Sequence, residues 1–277
     1  MQAGYWIRVS TEQLTTAGIS TARLDCLVLL EDLTGKDRSW LLSHPEHKLQ
    51  GSIIEILSKK IAQRAQHIPL AYIRGHAEFY GRKFAVDNHT LVPRPETEAM
   101  IELLKVVAVQ PGAAILDIGT GSGCISITAS LELPEAHVSA CDIDMDCLKI
   151  AQENAVSLEA NVRFFESNLL FNTGPHDRWD IVLANLPYVP NDYPINMAAT
   201  HEPRLALFGG SDGMDLYRIL FGQINILTAK PLYVLAESLP QQHTNLAAIA
   251  KKAGYSLHKT DDLIQLFALT RQPVAIP

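Results

Sequence analysis

Residues 180–188 read Asp180-Ile181-Val182-Leu183-Ala184-Asn185-Leu186-Pro187-Tyr188, a short apolar run that leads directly into a polar and aromatic turn. The apolar run predicts a buried parallel strand, because strands covered on both faces carry continuous rather than alternating apolar residues. Asn185 then stands at the carboxyl end of that strand, where ligands bind in open α/β sheets. The stretch therefore predicts both an α/β fold and the place in it where chemistry occurs.

The turn after this strand carries groups that suit a planar NH2 group. Pro187 favours an extended Leu186 and so holds the Leu186 carbonyl in one direction. That carbonyl and the Asn185 side-chain oxygen are two acceptors for the two hydrogens of one NH2 group, and Tyr188 offers a flat ring. By themselves these residues could equally be a strand-ending turn. Their interpretation as catalytic residues therefore depends on the rest of the chain.

Strand and helix patterns alternate after Pro111, which predicts a doubly wound sheet. Apolar runs predict strands at residues 114–118, 137–141, 162–165, 180–184, 232–236 and 265–270. Helical spacing predicts helices at residues 100–109, 124–133, 145–155, 215–227 and 242–253. We expect the first of these helices to be capped by the side chain of Thr97.

A glycine-rich loop, Asp117-Ile118-Gly119-Thr120-Gly121-Ser122-Gly123, joins the first predicted strand of this part to its helix. Glycines let the backbone approach a nucleoside closely, and the spacing is not the Gly-x-Gly-x-x-Gly of dinucleotide sites. It favours a nucleoside without a pyrophosphate, of which S-adenosylmethionine is one. Asp142 ends the next strand, where a carboxylate can accept hydrogen bonds from ribose hydroxyls. A purely structural glycine turn is the alternative.

The chain before this sheet has a different character. The first seventy residues show helical spacing of apolar residues and no strand pattern. A hairpin pattern around Gly81 follows, and then a segment stiffened by Pro93 and Pro95. These changes predict three parts: an N-terminal helical substrate-docking domain at 1–72, a hairpin linker at 73–95 and a catalytic domain at 96–277.

Composition places the chain among soluble globular proteins, with 277 residues, 47% of them hydrophobic and 19% charged. No apolar run is long enough for a membrane span and no N-terminal signal pattern is present, so we expect a cytoplasmic protein. The four cysteines form no Cys-x-x-Cys pair, which favours buried free thiols. Residues 1–90 contain 11 Lys and Arg against 9 Asp and Glu, whereas 91–277 contain 12 against 21, which counts against a nucleic-acid substrate.

Six blocks follow one another along the chain: Pro69-Leu70-Ala71-Tyr72-Ile73-x-Gly75, Glu78-Phe79-Tyr80-Gly81, Leu91-Val92-Pro93-Arg94-Pro95-Glu96-Thr97-Glu98, the loop 117–123, Asn185-x-Pro187-Tyr188, and Glu202-Pro203-x-x-Ala206-Leu207-x-Gly209-Gly210-x-x-Gly213. Each block alone is weakly specific. Their order and spacing together closely resemble the HemK-type peptide chain release factor glutamine methyltransferases.

This resemblance implies a five-helix N-terminal domain, a hairpin linker and a Rossmann-like, seven-stranded methyltransferase domain that uses S-adenosylmethionine and leaves S-adenosylhomocysteine. It implies methylation of the side-chain amide nitrogen of glutamine in the Gly-Gly-Gln loop of a release factor. The turn at 185–188 would then bind the acceptor glutamine and provide the catalytic residues. The candidate cofactor-binding residues are Gly119, Thr120, Gly121, Gly123, Asp142, Ile143, Asn168, Leu169 and Asn185.

Departures from the family pattern keep other functions open. Leu186 stands where the family usually has proline and adds an N–H group that needs a partner. Asn168 replaces a usual aspartate, and the glycine expected after Glu237 is missing. Asn-Leu-Pro-Tyr also resembles the motif of ribosomal-RNA adenine dimethyltransferases. The alternatives are therefore an amino methyltransferase acting on adenine in RNA or DNA, or a degenerate module that binds the cofactor and docks a partner.

We expect the partner to be a release factor rather than nucleic acid or a membrane, and we expect a monomer without a metal ion. The basic residues Lys59, Lys60, Arg64 and Arg74 of the helical domain would hold the rest of that partner. Gly209-Gly210-Ser211-Asp212-Gly213 also fits the Gly-x-Ser-x-Gly nucleophile elbow of hydrolases. No core strand leads into it, which favours a glycine-rich loop before the next helix.

Overall fold

The computed structural model describes residues 1–108, 110–173 and 177–270, and its contacts divide them into two compact units. Met1–His76 and Ile195–His201 form the first unit, and the remaining described residues form the second. In the described part of the chain, no helix is long and apolar enough to cross a membrane. The four cysteines are free and buried, as the sequence predicted.

The first unit is a bundle of five helices around one apolar core. Side chains such as Trp6, Leu30 and Leu57 are buried at its centre. Each fully buried side chain of this kind stabilises the folded state by about 1.5–3 kcal/mol. The number of helices agrees with the five that the resemblance implied. They are α1 (Ala3–Thr16), α2 (Ala22–Thr34), α3 (Arg38–Ser43), α4 (Gly51–Ala65) and α5 (Leu70–Arg74).

Three of the four basic residues expected to hold a partner are engaged within this unit. The Nε of Arg64 donates to the buried carboxylate of Asp25 at 2.6 Å. The Nε of Arg74 donates to Asp32 at 2.7 Å, and the ammonium of Lys60 donates to a backbone carbonyl of α5. These contacts stabilise the bundle itself, because each of them joins two different helices. The charges are therefore much less available to a partner than their number indicated.

The second unit begins with a hairpin and continues into one large sheet. The hairpin consists of β1 (His76–Phe79) and β2 (Arg82–Ala85). The strands of the sheet are β3 (Ala114–Ile118), β4 (His137–Asp142), β5 (Val162–Glu166), β6 (Ile181–Ala184), β7 (Tyr233–Glu237), β8 (Tyr255–Asp261) and β9 (Ile264–Leu269). The helices are α6 (Glu98–Val107), α7 (Cys124–Glu132), α8 (Met145–Ser157), α9 (Arg204–Leu207), α10 (Asp215–Asn225) and α11 (His243–Lys252).

The seven strands follow the order β5-β4-β3-β6-β7-β9-β8. The first five of these are parallel, β9 is antiparallel to β7, and β8 is antiparallel to β9. The predicted α/β fold with a doubly wound, Rossmann-like sheet of seven strands is confirmed. The order reverses between β3 and β6, and that reversal creates a crevice at the carboxyl ends of the strands.

Apolar layers cover both faces of the sheet. Leu116 and Val182 belong to the layer that includes buried residues of α10 and α11, whereas Ile115 and Leu183 belong to the layer that includes those of α6 and α7. Successive residues of a strand point to opposite faces, so both faces require apolar residues and the strands read as continuous apolar runs. This explains why the pattern at 180–184 predicted a buried strand correctly.

One strand was missed by the apolar patterns, which predicted only six. In β8 only Tyr255 is buried, and the six residues after it are all exposed. The strand lies at the edge of the sheet, where charged residues such as Lys259 protect an open edge from pairing with other chains. A strand without a buried face has no apolar alternation to recognise.

The start of α6 also differs from the prediction. The helix was expected at residues 100–109 with Thr97 as a side-chain cap, and Val109 lies outside the described residues. The observed helix begins at Glu98, directly after a 3-10 turn at Pro95–Thr97, and the Thr97 side chain makes no capping hydrogen bond. Because Thr97 is itself part of the preceding turn, its hydroxyl is directed elsewhere.

Candidate functional site

The carboxyl ends of β3, β4 and β6 meet at an open cavity within the second unit. Its wall combines the glycine loop after β3, the residues after β4 and β5, and the turn after β6. This is the crevice created by the reversal of strand order, which is where ligands bind in such sheets. Of the predicted site residues, the wall contains Gly119, Thr120, Gly121, Asp142, Ile143, Asn168, Leu169, Asn185, Leu186 and Pro187.

The glycine loop presents its backbone to this cavity. Gly119 and Gly121 have φ values of 71° and 54°, which L residues other than glycine rarely adopt. The amides of Gly119 and Thr120 both donate to the carbonyl of Cys141, at 2.9 and 3.0 Å, and so fasten the loop to β4. A Cβ on Gly121 would meet no atom within 4 Å. The loop is therefore a rigid cradle with open space beside it.

The carboxylate of Asp142 stands at the edge of the cradle. Its Oδ2 accepts from the amide of Gly121 at 2.9 Å, and its Oδ1 accepts from the amide of Asp144 at 3.0 Å. Burial raises the pKa of Asp142, although these amides favour the charged form. Each carboxylate oxygen can accept more than one hydrogen bond, so the group keeps acceptor capacity for ligand hydroxyls. Ile143 continues the wall and is 59% exposed.

Two predicted residues lie outside the cavity wall. A Cβ on Gly123 would stand 2.8 Å from Ile127 and 3.0 Å from Ala151, so this glycine permits α7 to pack closely on α8. The hydroxyl of Tyr188 donates to the carboxylate of Glu237 at 2.9 Å, and the ring is partly buried. Roles for Gly123 in cofactor binding and for Tyr188 in catalysis remain predictions.

Thr120 lines the cavity but directs its hydroxyl inward. That hydroxyl donates to Oδ2 of Asp117 at 2.6 Å, and the amide of Ser126 donates to the same oxygen at 3.2 Å. Asp117 is fully buried, and burial raises its pKa to about 6 despite these hydrogen bonds. Asp117 therefore fixes the loop from beneath, while the backbone of the loop faces the cavity.

Asn185 has a defined amide orientation. Its Nδ2 donates to the hydroxyl oxygen of Thr97 at 3.2 Å. Among the described residues none donates a hydrogen bond to the Asn185 Oδ1, which remains an acceptor at the cavity wall. The additional N–H group of Leu186 also has a partner, because it donates to the buried hydroxyl of Tyr217 at 3.3 Å. The departure from proline at position 186 is thus accommodated.

The glycine-rich loop at 209–213 supports the turn after β6. A Cβ on Gly209 would collide with the carbonyl oxygen of Pro187, and one on Gly213 would collide with the carbonyl oxygen of Tyr188. The side-chain amide of Gln242 donates to that Tyr188 carbonyl at 2.7 Å. These glycines are needed for close backbone contact, which agrees with a loop and gives no support to a nucleophile elbow.

A buried carboxylate joins two further segments of the cavity wall. Oε1 of Glu202 accepts from the guanidinium of Arg94 at 2.5 Å, and Oε2 accepts from the amide of Val92 at 3.1 Å. Reasoning from sequence quoted both blocks but did not pair them. It also missed Thr97 and Tyr217 as partners of the turn at 185–188, which we call the acceptor turn. The only sequence signal for any of these residues was that Thr97 and Glu202 stand inside the family-like blocks.

Comparisons with known proteins identify the family of the chain. Residues 6–75 match the PrmC N-terminal domain, and residues 96–202 match the Methyltransferase small domain. The chain is 39% identical to the release factor glutamine methyltransferase of Koribacter versatilis, over 77% of this chain and 78% of that protein. It is 32% identical to the release factor glutamine methyltransferase of Coxiella burnetii, over 96% and 95%.

A solved structure shows the same fold at low sequence identity. The hMettl16 catalytic domain, in complex with MAT2A 3′UTR hairpin 1, matches with a TM-score of 0.58 and 15% identity. The match covers 79% of this chain and 83% of that one. At this level of identity the similarity concerns the architecture of the methyltransferase sheet alone.

Proposed function

The chain belongs to the release factor glutamine methyltransferase family and is a methyltransferase, and from this premise we propose that it methylates the side-chain amide nitrogen of a glutamine in a peptide chain release factor. The methyl donor in this proposal is S-adenosylmethionine. One observation carries it: the Asn185 amide is held by Thr97 so that its oxygen is left as an acceptor at the wall of the cavity that the glycine loop also lines.

The residues of the cavity fit the proposed cofactor. Gly119 and Gly121 form a cradle without side chains, and Asp142 offers carboxylate oxygens at its edge. The cradle lacks a Cβ on the side where a ligand would lie, and the acid stands where it can accept ribose hydroxyls. S-adenosylmethionine, when bound, supplies an electrophilic methyl group on a sulfonium. The protein holds the acceptor beside it.

An amide nitrogen is a weak nucleophile, because its lone pair is delocalised into the carbonyl group. The Asn185 Oδ1 and the Leu186 carbonyl can accept its two hydrogens and turn its lone pair toward the donor. Such contacts strengthen as the nitrogen becomes pyramidal and positive, so they stabilise the transition state more than the bound substrate. The methylated nitrogen then loses a proton readily, because it is strongly acidic.

The same two acceptors would also suit the NH2 group of adenine. Two features support glutamine: the first unit matches the PrmC N-terminal domain, and relatives aligned over nearly the whole chain are named for glutamine methylation. The excess of acidic residues after residue 90 also opposes a polyphosphate partner. In this proposal the helical unit holds the body of the release factor, and the loop with the glutamine enters the cavity.

The test offers the protein three acceptors together with labelled S-adenosylmethionine. These are a release factor, the same release factor with Gln→Ala in its Gly-Gly-Gln loop, and ribosomal RNA. We expect label on the loop glutamine alone, located by mass spectrometry of the digested products. Label on RNA, or equal label on the loop variant, would assign the activity to another acceptor.

A further inference from the structure

Glu237 is a buried carboxyl group behind the wall of the cavity. It ends β7, which pairs in parallel with β6 so that Ala184 lies opposite Ala236. This register puts Glu237 beside Asn185 at the carboxyl ends of two neighbouring strands. The residue is only 1% exposed. A carboxyl group buried so deeply is costly unless hydrogen bonds compensate for the lost water, so its presence needs an explanation.

Two hydroxyl groups face the Glu237 carboxyl group. The hydroxyl of Tyr188 donates to Oε1 at 2.9 Å. The hydroxyl of Thr97 lies close enough to lower the pKa of Glu237, and Oε2 has no hydrogen-bond partner among the described residues. Tyr188 belongs to the acceptor turn, and Thr97 contacts the Asn185 amide. Glu237 is therefore connected to both sides of the proposed acceptor site.

The Thr97 hydroxyl carries this connection to Asn185. Its oxygen accepts from Nδ2 of Asn185 at 3.2 Å, which leaves its own hydrogen available for Glu237. A carboxylate can only accept, so Thr97 must be the donor in its interaction with Glu237, while its oxygen accepts from Asn185. This direction fixes the Asn185 amide with its nitrogen inward and its oxygen toward the cavity.

We propose that Glu237 is a positioning residue that holds the methyl-acceptor side of the cavity in its reactive arrangement. Through Thr97 it determines which way the Asn185 amide faces, and through Tyr188 it holds the turn that presents the Leu186 carbonyl. This role rests on the proposed function, because it concerns the grip on an NH2 group. Glu237 does not touch the acceptor itself.

The arrangement depends on the charge of Glu237. Burial raises its pKa to about 7, against the opposing effect of Thr97 and Tyr188. Below that pH a protonated Glu237 has a hydrogen to donate to Thr97, which removes the need for Thr97 to donate. We therefore expect kcat to fall as the pH decreases through about 7. The other titratable and charged groups that face Glu237 are Arg94, Glu96, Cys124 and Tyr217.

Neither the Cys124 thiol nor the Tyr217 phenol changes charge in that range. Burial raises the pKa of Cys124 to about 12 and raises the pKa of Tyr217 well above its usual value. Both groups therefore stay neutral near pH 7, and the acid limb of kcat can be assigned by substitution of Glu237 itself.

The test compares single-turnover methylation of a release factor by the parent, Glu237→Gln, Thr97→Val and Thr97→Ser. Glu237→Gln keeps the shape but replaces one acceptor oxygen with an NH2 group, so Thr97 and Tyr188 can no longer both donate to an oxygen of residue 237. Thr97→Val removes the hydroxyl at equal volume, and Thr97→Ser retains it. Glu153→Gln makes the same chemical change at an exposed position of α8 and serves as the control.

We expect Glu237→Gln and Thr97→Val each to lower the rate on the order of 10–100-fold, with unchanged cofactor affinity and no acid limb near pH 7. Thr97→Ser should recover most of the rate, and Glu153→Gln should equal the parent. If Glu237→Gln does not fold, the comparison of Thr97→Val with Thr97→Ser tests the proposal instead. Parental rates with the acid limb retained in Glu237→Gln, or in Thr97→Val, overturn the proposal. A parent that never labels glutamine overturns the proposed function instead.

Discussion

The two sides of the cavity are held together in different ways. On the side where the cofactor is proposed to bind, the contacts are mainly made by backbone amides of adjacent loops, and one of them joins Gly121 to Asp142, 21 residues apart. On the acceptor side they are mainly side chains from distant segments: Asn185 to Thr97 spans 88 residues, and Val92 to Glu202 spans 110. The cofactor side is thus a local supersecondary motif, whereas the acceptor side is assembled by the tertiary fold.

This difference has a physical consequence for substitutions. A cradle fastened by backbone hydrogen bonds, such as those from Gly119 and Thr120 to the Cys141 carbonyl, tolerates most changes in nearby side chains, because these bonds do not depend on them. An acceptor site made of interlocking side chains depends on each member, since the loss of one leaves another buried polar group without its partner. We therefore expect single substitutions to separate cofactor binding from methyl transfer.

The largest expected effect is on turnover, from Asn185→Ala. In the proposed mechanism the substitution removes an acceptor that acts on the glutamine amide in the transition state, so kcat should fall by about 10²–10³-fold. Cofactor affinity should hardly change, because the glycine cradle is untouched. Single-turnover kinetics and calorimetry measure the two quantities. The control is Asn191→Ala at an exposed position, and parental activity in Asn185→Ala would refute the proposed grip on the acceptor.

The converse effect should come from Asp142→Ala on the cofactor side. Loss of a carboxylate that accepts ligand hydroxyls should weaken S-adenosylmethionine binding by about 10–100-fold, as charge-assisted hydrogen bonds contribute about 1.5–3 kcal/mol. Saturating cofactor should raise the melting temperature of the parent, and this shift should shrink in the variant. Asp192→Ala, at an exposed position, should leave it unchanged. If the parent shows no shift at all, the loop does not bind this cofactor.

Glycine substitutions compare the two sides of the cavity through the free energy of unfolding. Gly213→Ala forces a Cβ into the Tyr188 carbonyl at a φ of 76°. We expect the free energy of unfolding to fall by roughly 2 kcal/mol or more, and turnover to fall with it. Gly121→Ala meets open space, and its cost should be only the backbone strain of about 1–2 kcal/mol. Gly222→Ala in α10 is the control, with a gain of about 0.5–1 kcal/mol. Urea unfolding ranks the three, and an equal loss for Gly213→Ala and Gly121→Ala would contradict the tertiary assembly of the acceptor side.

The same difference explains what could be predicted from the sequence. The cradle and Asp142 could be placed on the cavity because their spacing follows from one strand, one loop and the next strand. The positions of six strands along the chain could be predicted because buried strands have apolar runs. The partners of Asn185 and Leu186 could not, because Thr97 and Tyr217 approach only when distant segments pack. Thr97 even looked like a helix cap, since local rules see only its neighbours.

The smallest expected effect concerns the residue that departs from the family pattern. Tyr217→Phe leaves the Leu186 N–H without its partner, at a cost of about 1–3 kcal/mol. Leu186→Pro removes that N–H, so the double variant should be more stable than the sum of the single losses by about 0.5–1 kcal/mol. Leu186→Ala keeps the N–H and shortens a side chain that is 2% exposed. The free energy of unfolding lost in this variant should therefore simply add to that lost in Tyr217→Phe. Two double-mutant cycles combine Tyr217→Phe with Leu186→Pro and with Leu186→Ala. Denaturant unfolding of the variants in each cycle measures its coupling free energy. Equal couplings would mean that the Tyr217 hydroxyl does not serve the Leu186 amide, and that the leucine is accommodated by packing alone.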